Sequence, residues 1–387
     1  MRRFSRTPLV PADRVRRLLA TLVLTGLTVL TLSGPGSDAG GSAAAKSASP
    51  CGPAPGGGAL EWRPDAHLNV LVKGVAGGFP ARAGTTLYVD GVPAAGRTGS
   101  IVAIDLRTGK QLASFRPVLP PGDRVIAMAA SPSALYVASG PDGPFGEGKH
   151  VQAFDADSGA ALASFQPPAD LQDGLLSGMV YTAGRIVITS APPTGPGPTL
   201  GAFDAGTGAP LWRINPGYSM GSVATDGRQV FVGVRADEHV ERLFDAFDVM
   251  TGEQVPSWGA SLPGADADSL GVISGIAGSR LLGAAGPPPH AVSISLATGA
   301  PLPVPQLPRG ATVSFGTSRT LVGSVPRTHL HGTRLYSVPG VFTGGGKLIG
   351  TTCLQFDVIA QRDDRHLIAL RTSQDQRSTT IVELARP

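Results

Sequence analysis

The stretch Phe154-Asp155-Ala156-Asp157-Ser158-Gly159 recurs along the chain with little change. Close copies are Ile104-Asp105-Leu106-Arg107-Thr108-Gly109, Phe203-Asp204-Ala205-Gly206-Thr207-Gly208 and Phe247-Asp248-Val249-Met250-Thr251-Gly252. A degenerate copy, Ile294-Ser295-Leu296-Ala297-Thr298-Gly299, lacks the aspartate, and Phe342-Thr343-Gly344 is interpreted as a sixth. The Thr or Ser positions of these copies are 50, 49, 44, 47 and 45 residues apart. The chain is therefore an array of repeats about 47 residues long.

Each copy of the motif predicts a tight turn between two strands. An alternating apolar run precedes the first copy, at Ile101 and Ala103, and another follows it, at Leu112 and Phe115. That pattern is typical of a hairpin. Aspartate caps such turns through its carboxylate, and glycine supplies the positive φ at which they close. We therefore assign a structural turn role to the pairs Asp105 and Gly109, Asp155 and Gly159, Asp204 and Gly208, and Asp248 and Gly252.

The repeats predict an all-β fold, a seven-bladed β-propeller with four-stranded blades. The second repeat contains four strand-like runs, Val125–Ala129, Leu135–Ser139, Val151–Asp155 and Ala161–Phe165. Four strands in 44–50 residues is the size of a propeller blade. Residues 59–387 number 329, which corresponds to seven repeats of 47.

The seventh blade lacks an outer strand at its own end of the chain. Three strands are predicted there, Phe356–Ala360, His366–Arg371 and Thr379–Leu384. The N-terminal run Leu60-Glu61-Trp62-Arg63-Pro64 looks like an outer strand. We expect it to pair with Thr379–Leu384 and close the ring, which removes exposed sheet edges.

The repeats resemble those of quinoprotein-type propellers, also called PQQ-like repeats, and of related bacterial envelope proteins. The likeness rests on the Asp-x-x-Thr-Gly motif followed by a strand ending in Phe115-Arg116-Pro117, Phe165-Gln166-Pro167 or Leu211-Trp212-Arg213, and it extends over residues 59–387. Enzymes of that family hold their cofactor with a Trp floor, acidic residues and a metal ion. The tryptophans here, Trp62, Trp212 and Trp258, occupy outer-strand positions, and no vicinal cysteine pair occurs. The resemblance implies the fold without the cofactor.

The N-terminus predicts export from the cytoplasm. Six arginines between Arg2 and Arg17 precede the apolar run Leu18–Leu32, and small residues follow. This order describes a secretory signal peptide over residues 1–39, which we expect to be removed, and leaves open a retained anchor and either Sec or twin-arginine export. A Gly-, Ala- and Pro-rich linker, 40–58, then leads into a single domain, 59–387. Removal of six Arg and two Asp leaves 26 basic and 26 acidic residues, so no nucleic-acid binding and no membrane span are expected of the mature chain.

The connections between the second and third strands of each repeat are long, and they share one face of a propeller. They are Val92–Gly99, Pro141–Lys149, Pro192–Pro198, Asp237–Arg242, Pro287–His290 and Arg327–Gly332. His150, His239, His290, His329 and His331 lie in or beside them, and His67 is placed at the start of the first inner strand on the same face. Because such loops carry function on a rigid scaffold, a protein or small-molecule ligand is expected there. A divalent metal on His239, His290, His329 and His331 is a further hypothesis; no other cofactor is predicted.

Two functions fit the sequence. One is a binding or scaffold module at the cell envelope or outside the cell, acting as a monomer. The alternative is a propeller enzyme, such as a lactonase-like hydrolase, lyase or oxidoreductase, that uses the His-bearing face. Exported proteins with two cysteines commonly form one disulfide, so we expect Cys51 and Cys353 to pair.

Overall fold

The computed structural model describes residues 60–61, 63–73, 75–76, 80–92, 99–141, 149–168, 175–191, 199–216, 220–234, 242–256, 258, 271–285, 290–304, 312–316, 320–328, 335–343, 347–351, 357–363, 366–372 and 378–385. All of these belong to one compact unit, Ser49–Pro387. The predicted signal peptide, the linker, Cys51 and Cys353 lie outside the described residues and stay predictions. Where the chain is described, no helix is long and apolar enough to cross a membrane.

The described residues form strands and turns, and no helix occurs among them. The first two strands are β1 (Leu60–Glu61) and β2 (Arg63–Lys73). Sheet 1 contains β3 (Val75–Ala76), β4 (Ala81–Ala83), β5 (Thr86–Val92), β6 (Ser100–Asp105) and β7 (Lys110–Gln111). Sheet 2 contains β8 (Asp123–Ala130), β9 (Ala134–Pro141), β10 (His150–Asp155) and β11 (Ala161–Phe165). Sheet 3 contains β12 (Leu175–Thr182), β13 (Arg185–Ala191), β14 (Thr199–Asp204) and β15 (Pro210–Ile214).

Four further sheets follow in chain order. Sheet 4 contains β16 (Met220–Thr225), β17 (Gln229–Val234) and β18 (Phe244–Asp248). Sheet 5 contains β19 (Val272–Ala277), β20 (Arg280–Ala285) and β21 (His290–Ser295). Sheet 6 contains β22 (Thr312–Gly316), β23 (Thr320–Thr328), β24 (Leu335–Thr343) and β25 (Leu348–Thr351). Sheet 7 contains β26 (Asp357–Asp363), β27 (His366–Thr372) and β28 (Ser378–Ala385).

In sheets 2 to 5 consecutive strands pair with their neighbours in antiparallel order. In sheet 1 both β3 and β4 pair with β5, and β1 and β2 from the N-terminus add to the consecutive strands of sheets 6 and 7. In sheet 2 the four strands coincide, within two residues at each end, with the four runs predicted from sequence. In sheets 4 and 5 the fourth position is a single bridge, Phe247 to Gln254 and Ile294 to Pro301. The prediction of four-stranded antiparallel units is therefore confirmed for several of the repeats.

The sheets pack face to face in chain order, so most inner strands are buried on both faces. Residues Ala134–Gly140 of β9 are all buried, without the alternation of a half-exposed strand. One core cluster joins sheets 1 and 2 through Tyr88 and Leu135, and another joins sheets 2 and 3 through Tyr136 and Ile188. Similar clusters join sheets 3 and 4, sheets 4 and 5, and sheets 6 and 7, and β19 of sheet 5 contacts β22 of sheet 6. This stacking of sheets is the architecture of a β-propeller.

The N-terminal strand β2 pairs with the last strand, β28, as the sequence predicts for Arg63 and Pro64, but the pairing extends further along the chain. Arg63 is opposite Ala385 and Lys73 is opposite Ser378, so the outer strand of sheet 7 runs on to residue 73. The prediction that His67 starts an inner strand is wrong, because His67 lies within β2. Leu60 and Glu61 pair instead with Gly350 and Thr351 of β25, in parallel. Leu68 and Val70 of β2 then pack with Leu87 and Val89 of sheet 1.

The Asp-x-x-Thr/Ser-Gly turns share one geometry. Asp155 accepts hydrogen bonds at Oδ1 from the backbone N–H and the hydroxyl of Ser158, at 2.8 and 2.6 Å. These bonds hold the pKa of Asp155 below its usual value, and the bonds from Thr207 do the same for Asp204. In all four turns the glycine N–H donates to the aspartate carbonyl. The φ values of Gly109, Gly159, Gly208 and Gly252 lie between 66° and 74°, a region that favours glycine.

The structure places the sixth copy of the motif three residues further along the chain than the sequence interpretation did. The backbone N–H of Thr343 donates to Lys347 O at 2.8 Å, as that of Asp155 donates to Ala160 O. Thr343 therefore stands at the aspartate position and not at the threonine position. Its hydroxyl accepts from the Lys347 N–H at 3.1 Å, which replaces the aspartate cap in a turn that is one residue shorter.

These turns also fasten each sheet to the one before it. Trp212 of β15 lies against Gly252 in the turn of sheet 4, where an added Cβ would be 2.7 Å from Trp212 Cδ2. Its indole N–H donates to Val249 O at 2.9 Å, and Trp258 donates to Leu296 O at 2.8 Å. Phe165 of sheet 2 lies in the same way against Gly208 of sheet 3. At Gly208 and Gly252 glycine is thus required both by its φ and by the aromatic ring that covers it.

Tyr88 makes the equivalent bond from sheet 1 to sheet 2. Its hydroxyl donates to Ala156 O at 3.1 Å, and Ala156 directly follows the turn residue Asp155. Burial, with further contributions from the charges of Asp157 and Asp155, raises the pKa of Tyr88 to about 12. The neutral phenol is the form that fits this interface.

Two glycines with positive φ provide a matched test of the aromatic docking. Gly252 has φ 74° and faces Trp212, whereas Gly227 has φ 95° and no atom within 4 Å of an added Cβ. Gly227→Ala should lower the free energy of unfolding by about 1 kcal/mol, through backbone strain alone. Gly252→Ala should cost a further 1–3 kcal/mol or so, because the methyl group displaces the indole ring. Equal losses in urea unfolding would contradict docking of Trp212 on the turn.

Tyr88→Phe should weaken the contact between sheets 1 and 2 in a pH-dependent way. At neutral pH the loss should be about 1 kcal/mol, because Ala156 O loses its donor. The folded-state pKa is raised to about 12 from about 10 in an unfolded chain, so the stability that needs the neutral hydroxyl is full below about pH 10 and is lost as the pH rises toward 12. The difference between wild type and variant in urea unfolding should shrink from about pH 10 to about pH 12. A difference that stays constant would contradict this role.

Candidate functional site

The strand order gives every sheet two different ends. At one end, which we call the turn end, the third strand closes in the Asp-x-x-Thr-Gly turn. At the other, the loop end, the second strand connects to the third. These connections vary in length from four residues, between Ala285 and His290, to nine, between Val234 and Phe244. All six connections named from the sequence join a second strand to a third strand, as expected.

The histidines separate between the two ends. His150 is the first residue of β10 and His290 is the first residue of β21, so both start a third strand at the loop end. His366 starts β27 at the turn end. His239, His329 and His331 lie outside the described residues. Their grouping with His290 into a metal site stays a prediction; within the described ranges no group of three or more His, Cys, Asp and Glu could hold a metal.

A polar cluster lies at the loop end of sheet 2, on its face toward sheet 1. Asp123 starts β8, Ser139 lies near the end of β9, and His150 is directly opposite Ser139 in the register. The Ser139 hydroxyl donates to Asp123 Oδ2 at 3.0 Å and lies 3.2 Å from His150 Nε2. His150 Nε2 is also 3.4 Å from Asp123 Oδ2. The three side chains therefore form one closed triangle.

Sheet 1 faces this triangle with a second buried carboxyl group. Asp90 of β5 is 1% exposed. Because alternate residues of a strand share a face, Asp90 points to the same side as Tyr88, which bonds to sheet 2. Backbone contact at this point is close, since the Gly99 N–H donates to Asp123 O at 3.0 Å. Asp90 therefore lies on the face of sheet 1 that is turned toward sheet 2, which carries the triangle at its loop end.

The triangle does not have the geometry of a nucleophilic relay. Such a relay needs serine on one ring nitrogen of histidine and the carboxylate on the other. Here Ser139 and Asp123 both approach Nε2. The single hydroxyl hydrogen of Ser139 is directed to Asp123 Oδ2 and not to the histidine ring. Ser139 is also fully buried, so the cluster is suited to fixing the loop ends of β8, β9 and β10 against one another.

Sequence reasoning identified the loop end and His150 but missed Asp123, Ser139 and the buried Asp90 of sheet 1. Asp123 follows Pro120-Pro121-Gly122 and resembles a turn residue, and Ser139 sits in an ordinary apolar strand run. Asp90 precedes Gly91 in Tyr88-Val89-Asp90-Gly91, which also reads as the start of a turn. These residues lie on four different strands and follow no regular spacing, so the sequence holds no signal that would group them.

A family profile of PQQ-like repeats, described as outer membrane protein assembly factor BamB, matches residues 147–322. This confirms the resemblance noted in the sequence. No curated protein matches the chain. Many solved structures are similar, among them the following three. BamB from Moraxella catarrhalis is 16% identical, with a TM-score of 0.44, 84% of this chain covered and 96% of that one.

The other two similar structures are prolyl peptidases. One comes from a structural and mechanistic analysis of two prolyl endopeptidases, with 16% identity, a TM-score of 0.55 and 84% of this chain covered. The other is prolyl oligopeptidase B from Galerina marginata, with 10% identity, a TM-score of 0.50 and 82% covered. The chain spans 47% and 51% of these two proteins. At such identities the likeness concerns the fold alone.

Proposed function

We propose that this chain is an exported, seven-bladed β-propeller that serves as a binding scaffold at the cell envelope, with the loop end as its binding surface. One observation carries the proposal. At Gly208 and Gly252 the recurring turn lies under an aromatic ring of the preceding sheet, and Trp212 and Trp258 each bond to a carbonyl of the next sheet. The loop-end connections differ in length, from four to nine residues. A rigid scaffold with variable loops is typical of a recognition module.

In the proposed ring, β2 is the outer strand of the seventh blade. Its support is the antiparallel pairing of β2 with β28 over eight residue pairs. A second support is the core cluster in which Ile368, Leu370 and Ile381 of sheet 7 meet Leu87 and Ile104 of sheet 1. Closure of this kind joins the two ends of the array and leaves no open blade interface.

Export and an envelope location are supported by two independent features. The N-terminal sequence has the basic, apolar and small-residue order of a signal peptide. The family profile that matches residues 147–322 is described as an outer membrane protein assembly factor, a description that concerns the outer membrane. A partner polypeptide is therefore the proposed ligand class for the loop end.

The enzyme alternative has less support. A hydrolase would use the His-bearing end, and two of the similar structures are peptidases. Ser139, however, is buried and bonded to Asp123, and His150 presents the same nitrogen to both groups. These contacts favour a structural role for the cluster over general-base catalysis.

Photo-crosslinking from the two ends of the molecule tests the proposal. Arg371 is exposed at the loop end on β27, and Arg107 is exposed in the turn of sheet 1. Each is replaced in turn by benzoylphenylalanine in cells that export the full chain. Position 371 should give discrete crosslinked species in the extracytoplasmic fraction, and the matched position 107 should not.

Two results would contradict the proposal. Crosslinks from position 107 alone would assign binding to the turn end. Recovery of the whole protein in the cytoplasm with its Met1 intact would refute export.

A further inference from the structure

The outer strands of the sheets differ in how their free edges are protected. Edge strands are commonly blunted by short length, proline, charge or a covering segment. Strand β7 has two residues and includes Lys110, β15 contains Pro210 and Arg213, and β2 begins Arg63-Pro64-Asp65. Among the described outer strands, β11 (Ala161–Phe165) and β25 (Leu348–Thr351) contain neither charge nor proline.

The molecule covers one of these two unprotected edges itself. The extended segment Leu60–Glu61 pairs in parallel with Gly350 and Thr351 on the outer side of β25. This is the only parallel pairing among the described strands. An outer edge at this position of the repeat therefore accepts a further extended backbone segment.

The edge of β11 has the same character and carries no fifth strand in the described part of the chain. Leu162 is 59% exposed, the largest exposed fraction of any apolar strand residue described, and Ala161 and Ser164 are exposed beside it. On the opposite face, Phe165 is held against Gly208 and lies 5.2 Å from the ring of Phe203. Phe165 thus fixes one face of the strand, while the backbone edge and the Leu162 side chain face the solvent.

We propose that the β11 edge binds an extended, uncharged segment of a partner polypeptide by adding it to sheet 2 as a fifth strand. The backbone groups of an edge strand supply affinity for any extended chain, and the neighbouring side chains select it. Leu162, Ala161 and Ser164 present no charge, so the fitting segment is apolar at alternate positions. Because Phe165 already holds β11 in place, the strand itself loses little conformational entropy when a segment binds. This surface lies on the outer rim, and its function does not depend on the loop end.

The experiment uses a defined probe, a blocked eight-residue peptide of alternating threonine and valine, with a fluorescent label. Its binding to the full mature chain is measured by fluorescence anisotropy, and amide hydrogen exchange locates the contact. The variant Leu162→Lys places a charge on the edge. Leu211→Lys is the matched control, since Leu211 is exposed at the same position of β15, an edge that already contains proline and arginine.

The probe should bind wild type and Leu211→Lys alike and protect amides within Ala161–Phe165. Leu162→Lys should weaken binding at least about tenfold without lowering the melting temperature. The same peptide with a central proline should not bind, because proline removes a donor from the added strand. No binding, equal weakening in both variants, or protection outside β11 would overturn the proposal. Protection of β11 by a second copy of the chain, without peptide, would overturn it in favour of self-association.

Discussion

The structure depends on one repeated contact, an aromatic side chain of one sheet seated on the turn of the next. At Trp212 the ring covers Gly252 and the indole N–H binds Val249 O. The ring needs a glycine without a Cβ beneath it, and the carbonyl is positioned because Asp248 holds the turn through its carboxylate. The aspartate, the glycine and the aromatic residue therefore act as one unit, which explains why they recur together.

This contact separates what the fold needs from what function can use. The aromatic contacts between sheets lie at the turn end, and the inner strands carry apolar side chains on both faces of the sheets. The loop end carries variable connections and, between sheets 1 and 2, the cluster of Asp123, Ser139 and His150. The outer rim is free wherever no segment covers it, as at β11. The two proposed binding surfaces, the loop end and the β11 edge, are the regions where the repeat constrains the sequence least.

Much of the fold could be predicted because its signals are local. The motif Phe154–Gly159 specifies a turn, and the apolar runs around it specify strands whose bounds in sheet 2 match the structure closely.

The errors of the sequence prediction arise where the type of a residue suggests one structural position and the residue occupies another. Thr343 resembles the threonine of the motif but occupies the aspartate position, because the shorter turn is capped by its hydroxyl. The apolar residues Leu68 and Val70 would suit a strand of sheet 1 or of sheet 7. The sequence alone therefore does not show that β2 pairs with β28, which is distant along the chain. The polar cluster combines residues from three strands, β8, β9 and β10, and no spacing in the sequence brings them together.

The proposed closed ring depends on the pairing of β2 with β28, and a disulfide crosslink tests that pairing most directly. Val70 is opposite Ile381, and directly opposed residues of antiparallel strands are about 4.5–5.5 Å apart, within disulfide reach. In a Cys51→Ser, Cys353→Ser background, Val70→Cys with Ile381→Cys should form an intramolecular disulfide under mild oxidation of the folded protein. The offset pair Val70→Cys with Val382→Cys, whose side chains point to opposite faces, should not. Failure of the first pair to crosslink, or equal crosslinking of both, would contradict closure of the ring by its N-terminal strand.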